Sequence, residues 1–263
     1  YEISECLVGS EMCIRDRDRH SDRIQDTNPK EIIAMKIIHF MFTAVVAAVF
    51  ASCDEHMDFP DTAMKIGDIV CTDGAIVRYE DVDSLKKTPI AVVFYVNHNE
   101  DVEGNGYAVY LDDFATLAYS DSLGITHKTS ADLMAYDGNS NTHAMYSTGT
   151  SPAASMVIDM WAYRQSAYIP SVAQMRLLFS VKKSVNPLIE KCGGTPIPDD
   201  ADLCWYWTST EVQGQETAKA WLYSLASGSI QETPKTQPHK IRPIITPVSY
   251  THLRAHETLA NIV

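Results

Sequence analysis

Two stretches near the ends of the chain, Leu7–Asp16 (LVGSEMCIRD) and Val248–Glu257 (VSYTHLRAHE), can be written as the two opposite strands of one DNA segment. Encoding the first as CTC GTG GGC TCG GAG ATG TGT ATA AGA GAC makes its reverse complement, in one frame, read as the second. No folding requirement imposes such a relation, whereas a transposon-end adapter joined to both ends of a fragment produces it automatically. Such scars are set aside before fold reasoning. The expected organisation is therefore adapter and upstream read-through over 1–34, a signal segment over 35–52, a tether over 53–62, a folded domain over 63–247 and adapter again over 248–263. His252 and His256, at helical metal-pair spacing, drop out with it, as do Cys6 and Cys13.

Within this frame Met35 is the natural start. Lys36 supplies a positive n-region, and Ile37 to Phe50 is an almost unbroken apolar run ending in Ala51-Ser52-Cys53. The run is shorter than the roughly 20 residues of a membrane-spanning helix, so a cleaved export signal is the better reading. Its end resembles a lipoprotein signal peptide, which implies lipidation of Cys53 and a membrane partner through the lipid anchor. Phe50 stands where such signals usually have Leu or Val. The expected location is the outer membrane, facing the periplasm or the cell surface.

The chain carries a formal net charge of −13, most of it between Cys53 and Pro247. An acidic surface argues against nucleic acid as a partner. Cys71, Cys192 and Cys204 remain beyond the lipid site. Export permits disulfides, and Cys192 with Cys204 bounds a loop short enough to close, so these two are the candidate pair. No CxxC pair and no zinc-like spacing occurs, and no cofactor is implied.

Local patterns predict an α+β domain with mixed or antiparallel sheets and two or three short helices. Lys65 to Val77 reads as two short strands about an Asp73-Gly74 turn. Pro89 to Val96 (PIAVVFYV) is apolar throughout and predicts a central strand. Tyr107 to Leu111 returns antiparallel to it. Ser151-Pro152 opens a helix towards Trp161. Ser171 with Gln174 has capping-box spacing, and Val172, Met175, Leu178 and Phe179 line one face of the helix that follows. Asn186-Pro187 predicts a separate short helix ended by Gly193 or Gly194. Trp205 to Thr208, Ala220 to Leu225 and Ile241 to Ile245 predict strands, and the terminal strands are expected to pair.

Several short motifs then recur in a familiar order: Asp137-Gly138-Asn139-Ser140-Asn141-Thr142, Tyr168-Ile169-Pro170-Ser171, Tyr206-Trp207-Thr208-Ser209-Thr210-Glu211, Ala220-Trp221-Leu222-Tyr223, Ser227-Gly228-Ser229 and Ile241-Arg242-Pro243-Ile244. Their series resembles the bacterial Lcl C-terminal-like domain family, a branch of the C-type-lectin-like fold, over Asp137 to Thr246. The resemblance implies that fold; together with the lipoprotein-like signal, the expected function is that of a cell-envelope lipoprotein whose domain binds an extracellular glycan or protein without chemistry. The chain lacks the EPN and WND motifs of calcium-dependent sugar binders, so calcium-mediated recognition is not implied. Alternatives are a structural subunit of a surface appendage or lipoprotein complex, and an enzyme related by fold to formylglycine-generating enzymes through Cys192 or Cys204. Fold alone does not transfer function.

Recognition is expected on the loops Val212 to Lys219 and Gln231 to Lys240, with Gln213, Gln215, Gln231 and Lys235 as contacts and Tyr206 and Tyr223 adding aromatic surface. Glu211 and Arg242 are expected to form a partly buried structural ion pair. Trp207 and Trp221 read as core, while Trp205 is evenly placed between core and groove. Glu100, Asp101 and Glu103, and the alternating Asp137, Asn139 and Asn141, have calcium-ligand chemistry, but solvated loops and side-chain-capped turns are the expected state of both. His98, His127, His143 and His239 are expected at the surface.

Overall fold

A computed structural model of the chain describes residues 63–97, 106–162 and 165–247, all within one compact unit. The described residues form an α+β domain with two five-stranded sheets, a small hairpin and three helices. The first sheet runs β12 (Ile244–Ile245), β4 (Gly106–Tyr110), β3 (Pro89–Val96), β1 (Ile69–Cys71), β2 (Ile76–Val77), with antiparallel neighbours throughout. The second is mixed and runs β10 (Ile230–Pro234), β9 (Lys219–Ser224), β8 (Trp205–Glu211), β11 (Pro238–Ile241), β5 (Phe114–Ala118). Its single parallel contact joins β8 to β11. β6 (Trp161–Ala162) and β7 (Gln165–Ser166) form the hairpin.

β3 occupies the middle of its sheet, and both of its faces are covered, which is why its sequence is apolar without alternation. Val92 and Phe94 enter one core with Val109 of β4, Tyr206 and Tyr223 of the second sheet, and Val172, Met175, Leu178, Val185 and Ile189 of helix α3 (Val172–Lys191). Ala91 and Val93 point the other way, into a core with Trp207, Leu222 and the small residues Ala153, Ala154 and Val157 of helix α2 (Pro152–Ile158). Fully burying a side chain such as Leu178 contributes about 1.5–3 kcal/mol. A register shift between Val93 and Tyr95 breaks the alternation. It turns Tyr95 to the same core as Phe94, where its ring stacks on Tyr107 at 5.4 Å.

Two helix starts follow the sequence reading. The Ser151 hydroxyl accepts from the Ala154 N–H at 3.2 Å, with Pro152 at the first helical position. At Ser171 the capping box is complete: the hydroxyl accepts from Gln174 N–H at 3.3 Å, and the Gln174 amide oxygen accepts from Ser171 N–H at 2.9 Å. At the far end of α3 Gly193 takes a left-handed φ of +80°; its N–H bonds to Glu190 and that of Gly194 to Ile189, both at 2.9 Å, a Schellman cap.

Other expectations are corrected. Asn186-Pro187 does not begin a helix: α3 runs unbroken through Pro187 to Lys191. The lost backbone bond is offset by burial of Val185 and Ile189 and by the Asn186 amide, which donates to Ile197 O at 2.7 Å and accepts from Ile197 N–H at 3.0 Å. The terminal strands share a sheet but do not pair, because β3 and β4 lie between β1 and β12. The predicted strand over Ile241–Ile245 divides at Arg242-Pro243, β11 joining one sheet and β12 the other. The motif Asp137–Thr142 lies at the start of an unpredicted helix, α1 (Gly138–Ser147). A Cβ at Gly138 would come within 2.3 Å of the Gln174 side chain, so only glycine fits where α1 meets the α3 cap.

Candidate functional site

Three irregular segments meet at one buried ion pair. Glu211 ends β8, Lys235 follows β10, and both side chains are fully buried. The Lys235 ammonium donates to Glu211 Oε1 and to the Glu216 carbonyl, and lies 3.1 Å from both the Ile125 carbonyl and His127 Nδ1. Four acceptors thus surround three N–H groups, and the Tyr119 ring stands 5.2 Å away. His127 Nδ1 also lies 3.5 Å from Glu211 Oε1, and its Nε2 is 3.2 Å from Thr150 Oγ1.

Glu211 is correspondingly saturated. Oε1 also accepts from the His127 N–H at 2.9 Å, and Oε2 accepts from the N–H and hydroxyl of Thr129 at 3.2 and 3.0 Å. Burial pushes the carboxyl pKa up, but the hydrogen bonds from His127 and Lys235 outweigh it and hold the group at about 2. Burial likewise pulls the Lys235 ammonium down, opposed by Glu211. The pair is ionised, and every oxygen of the carboxylate is committed to the protein.

The expected Glu211–Arg242 pair does not form. Arg242, fully buried, donates from one terminal nitrogen to Asp113 Oδ1 at 2.7 Å and Thr195 O at 2.9 Å, and from the other to Leu111 O at 2.9 Å. The split of the last strand explains the exchange: Arg242 sits in the step between sheets, beside the segment that follows β4, while Glu211 faces the 125–129 loop. Neither Asp113 nor His127 is marked by any motif. Asp113 lies 129 residues from its partner, and the lone His127 carried no spacing signal; it is a buried network member, not a surface residue.

The six expected contacts divide. Gln213 and Gln231 are exposed, and Gln215 is half-buried, donating to Glu232 at 3.2 Å. Lys235, Tyr206 and Tyr223 are withdrawn from solvent and cannot touch a ligand directly. The Tyr206 hydroxyl donates to Asp113 Oδ2 at 3.1 Å, and burial pushes its pKa up strongly. Tyr223 packs edge-on to Phe179. Trp207 is core, with its indole N–H donating to Leu117 O at 3.0 Å; Trp205 and Trp221 are half-buried against the two cores.

The candidate disulfide is absent, since Cys71, Cys192 and Cys204 are free thiols. Cys192 caps α3, whereas buried Cys204 lies 3.2 Å from the Ser224 hydroxyl, so their elements hold them on different neighbours. Burial pushes the Cys192 thiol up, the opposite of nucleophile activation. Asn141 spends its amide on Asp137, at 2.8 Å, and Ser130 N–H, at 2.9 Å, which makes the motif a side-chain-bonded helix start. Among the described residues no group of three His, Cys, Asp or Glu side chains is arranged to hold a metal, and no helix is long and apolar enough to cross a membrane. Cys53, the signal segment, His98, the Glu100–Glu103 loop and the adapter stretches lie outside the described residues.

No protein-family model matches the chain, and a search of curated proteins found no match.

Proposed function

We propose that the domain is a non-catalytic recognition module of C-type-lectin-like type, carried by an exported lipoprotein anchored at Cys53. The observation that carries this reading is the use of the buried ionisable groups. Glu211, Lys235, His127, Asp113 and Arg242 are bonded to one another and to loop backbone, which leaves them as scaffold. The same bonds fix irregular segments that present exposed amides and hydroxyls, and rigidly held loops are a common seat of recognition. Two mixed or antiparallel sheets, a capped helix leading into β8 and a last strand returning to the first sheet support the lectin-like arrangement. The order of motifs from Asp137 to Thr246 supports it as well.

The test is binding of the full chain to arrays of glycans and extracellular matrix proteins, with and without EDTA. Selective binding that survives EDTA is expected. Absence of binding by folded protein on both arrays would overturn the reading.

A further inference from the structure

Two of the three free thiols lie on one face of the first sheet and at one level of it. Cys71 ends β1 and is buried with Ile69 in the core that α3 covers. Its partner in β3 is Pro89, and the neighbouring Ile90 carbonyl accepts from the Leu111 N–H at 3.1 Å. Cys71, Pro89 with Ile90, and Leu111 therefore form one row across β1, β3 and the end of β4. α3 runs to this row and stops there. Its cap residue is Cys192, packed against the same core. Just beyond it the Thr195 N–H donates to the Leu111 carbonyl at 2.9 Å, and a Cβ on Gly194 would lie 2.6 Å from Leu111. The last turn of α3 also reaches the β1–β2 hairpin: Leu188 packs on Gly67, and the Lys191 ammonium stands 5.3 Å from the centre of the Tyr79 ring. Contacts on both flanks thus bring Cys192 down beside Cys71.

The two sulfurs also feel each other. Burial raises the Cys71 thiol most, Asp73 adds to it, Lys87 opposes it, and Cys192 raises it again as a near neighbour does. Cys204 lies elsewhere, 3.2 Å from the Ser224 hydroxyl of the second sheet. Both candidates sit where the backbone is least regular. The β1–β3 register shifts between Val70 and Cys71, and Gly193, directly after Cys192, has a left-handed φ of +80°. Adjustment to the Cα separation of about 4.4–6.8 Å that a disulfide needs falls to a strand end and a cap residue rather than to the body of the helix.

We infer that Cys71 and Cys192 are a redox-sensitive pair that closes to a disulfide when the chain meets a disulfide oxidant, locking the end of α3 to the first sheet. Half-buried Cys192 is the point of entry. Its thiolate attacks one sulfur of the external disulfide, forming a mixed disulfide and expelling a thiolate that takes up a proton. The Cys71 thiolate then attacks the Cys192 sulfur and expels the second external thiolate, protonated in turn. Two protein thiols are oxidised, one external disulfide is reduced to two thiols, and the chain loses two hydrogens. Burial raises both thiols, so thiolate is scarce at neutral pH and closure is slow. The pair is a lock rather than a catalyst, and it stands independently of the recognition reading.

The full chain is reduced, freed of reductant and incubated with oxidised glutathione at about pH 8.5, where thiolate is more abundant. It is then unfolded, alkylated and mapped by peptide mass analysis without reduction. A peptide linked through Cys71 and Cys192 is expected, with Cys204 alkylated. The melting temperature should rise by roughly 10 °C over the reduced chain, because closing so long a loop restricts the unfolded state strongly. Glutathione retained on Cys192 with Cys71 still free, or a link from either residue to Cys204, would overturn the pairing. A linked peptide without a rise in melting temperature would overturn the lock. Cys192→Ala reads the pair a second way: the same oxidant should leave Cys71 free and the melting temperature unchanged. A rise as large as that of the wild type in this variant would exclude the inference.

Discussion

Lys235→Met removes the ammonium but keeps the unbranched apolar stem, leaving the Glu211 carboxylate buried opposite a thioether. Breaking one side of a buried pair typically costs about 3–5 kcal/mol, because the remaining charge is unmatched. The structure limits the loss from above. Glu211 can escape by taking up a proton, and from an ordinary carboxyl value of 4.5 that costs about 3.4 kcal/mol at pH 7, at 1.36 kcal/mol per pH unit. The bonds from His127 and Thr129 to Glu211 persist and reduce the loss further. The expected destabilisation at pH 7 is therefore about 3 kcal/mol, or roughly 10 °C in melting temperature for a domain of this size. Urea unfolding at several pH values is the assay, and the sign of the slope is its signature. In the wild type the folded pKa of Glu211 lies near 2, below the unfolded value, so its contribution is present above 4.5 and is lost as pH falls towards 2. In the variant the carboxyl lacks its cation and its folded pKa rises above 4.5. Acidification from pH 7 to 5 then relieves the penalty, and the variant closes on the wild type. A variant within about 0.5 kcal/mol of wild type at pH 7, or one whose deficit stays constant down to pH 5, would refute the reasoning.

Three further outcomes follow from the same contacts. Glu211→Gln removes the group with the depressed pKa, so the loss of wild-type stability between pH 4.5 and about 2 should shrink; unfolding midpoints across that range measure it. Arg242→Ala strands the part-buried Asp113 carboxylate and the Leu111 and Thr195 carbonyls, and should lower stability by about 3–5 kcal/mol in chemical denaturation. Alkylation without reductant, followed by peptide mass analysis, should label Cys192 first in the native chain and Cys71 and Cys204 after unfolding. A recovered Cys192–Cys204 crosslink would contradict the free thiols.

What the sequence determined by itself is local or periodic. The capping box at Ser171 and Gln174, the Ser151-Pro152 helix start and a glycine cap at Gly193 or Gly194 close hydrogen bonds within a few residues, so their partners are visible in the pattern. The Pro89–Val96 strand declared its burial on both faces through an unbroken apolar run. Tertiary structure decided the rest. Pro187 stays helical because Asn186 finds Ile197, and the last strand divides because its halves belong to different sheets. Charges show the limit most plainly. Glu211 chose Lys235, 24 residues away, and Arg242 chose Asp113, 129 residues away, though Glu211 and Arg242 suggested each other in the motif order. A buried charge needs a counter-charge within bonding distance, but its pattern in the chain does not say which one the fold will bring there. Tyr206, Tyr223 and Lys235 are buried for a related reason: composition nominates polar and aromatic loop residues, and packing decides which side chains are left outside.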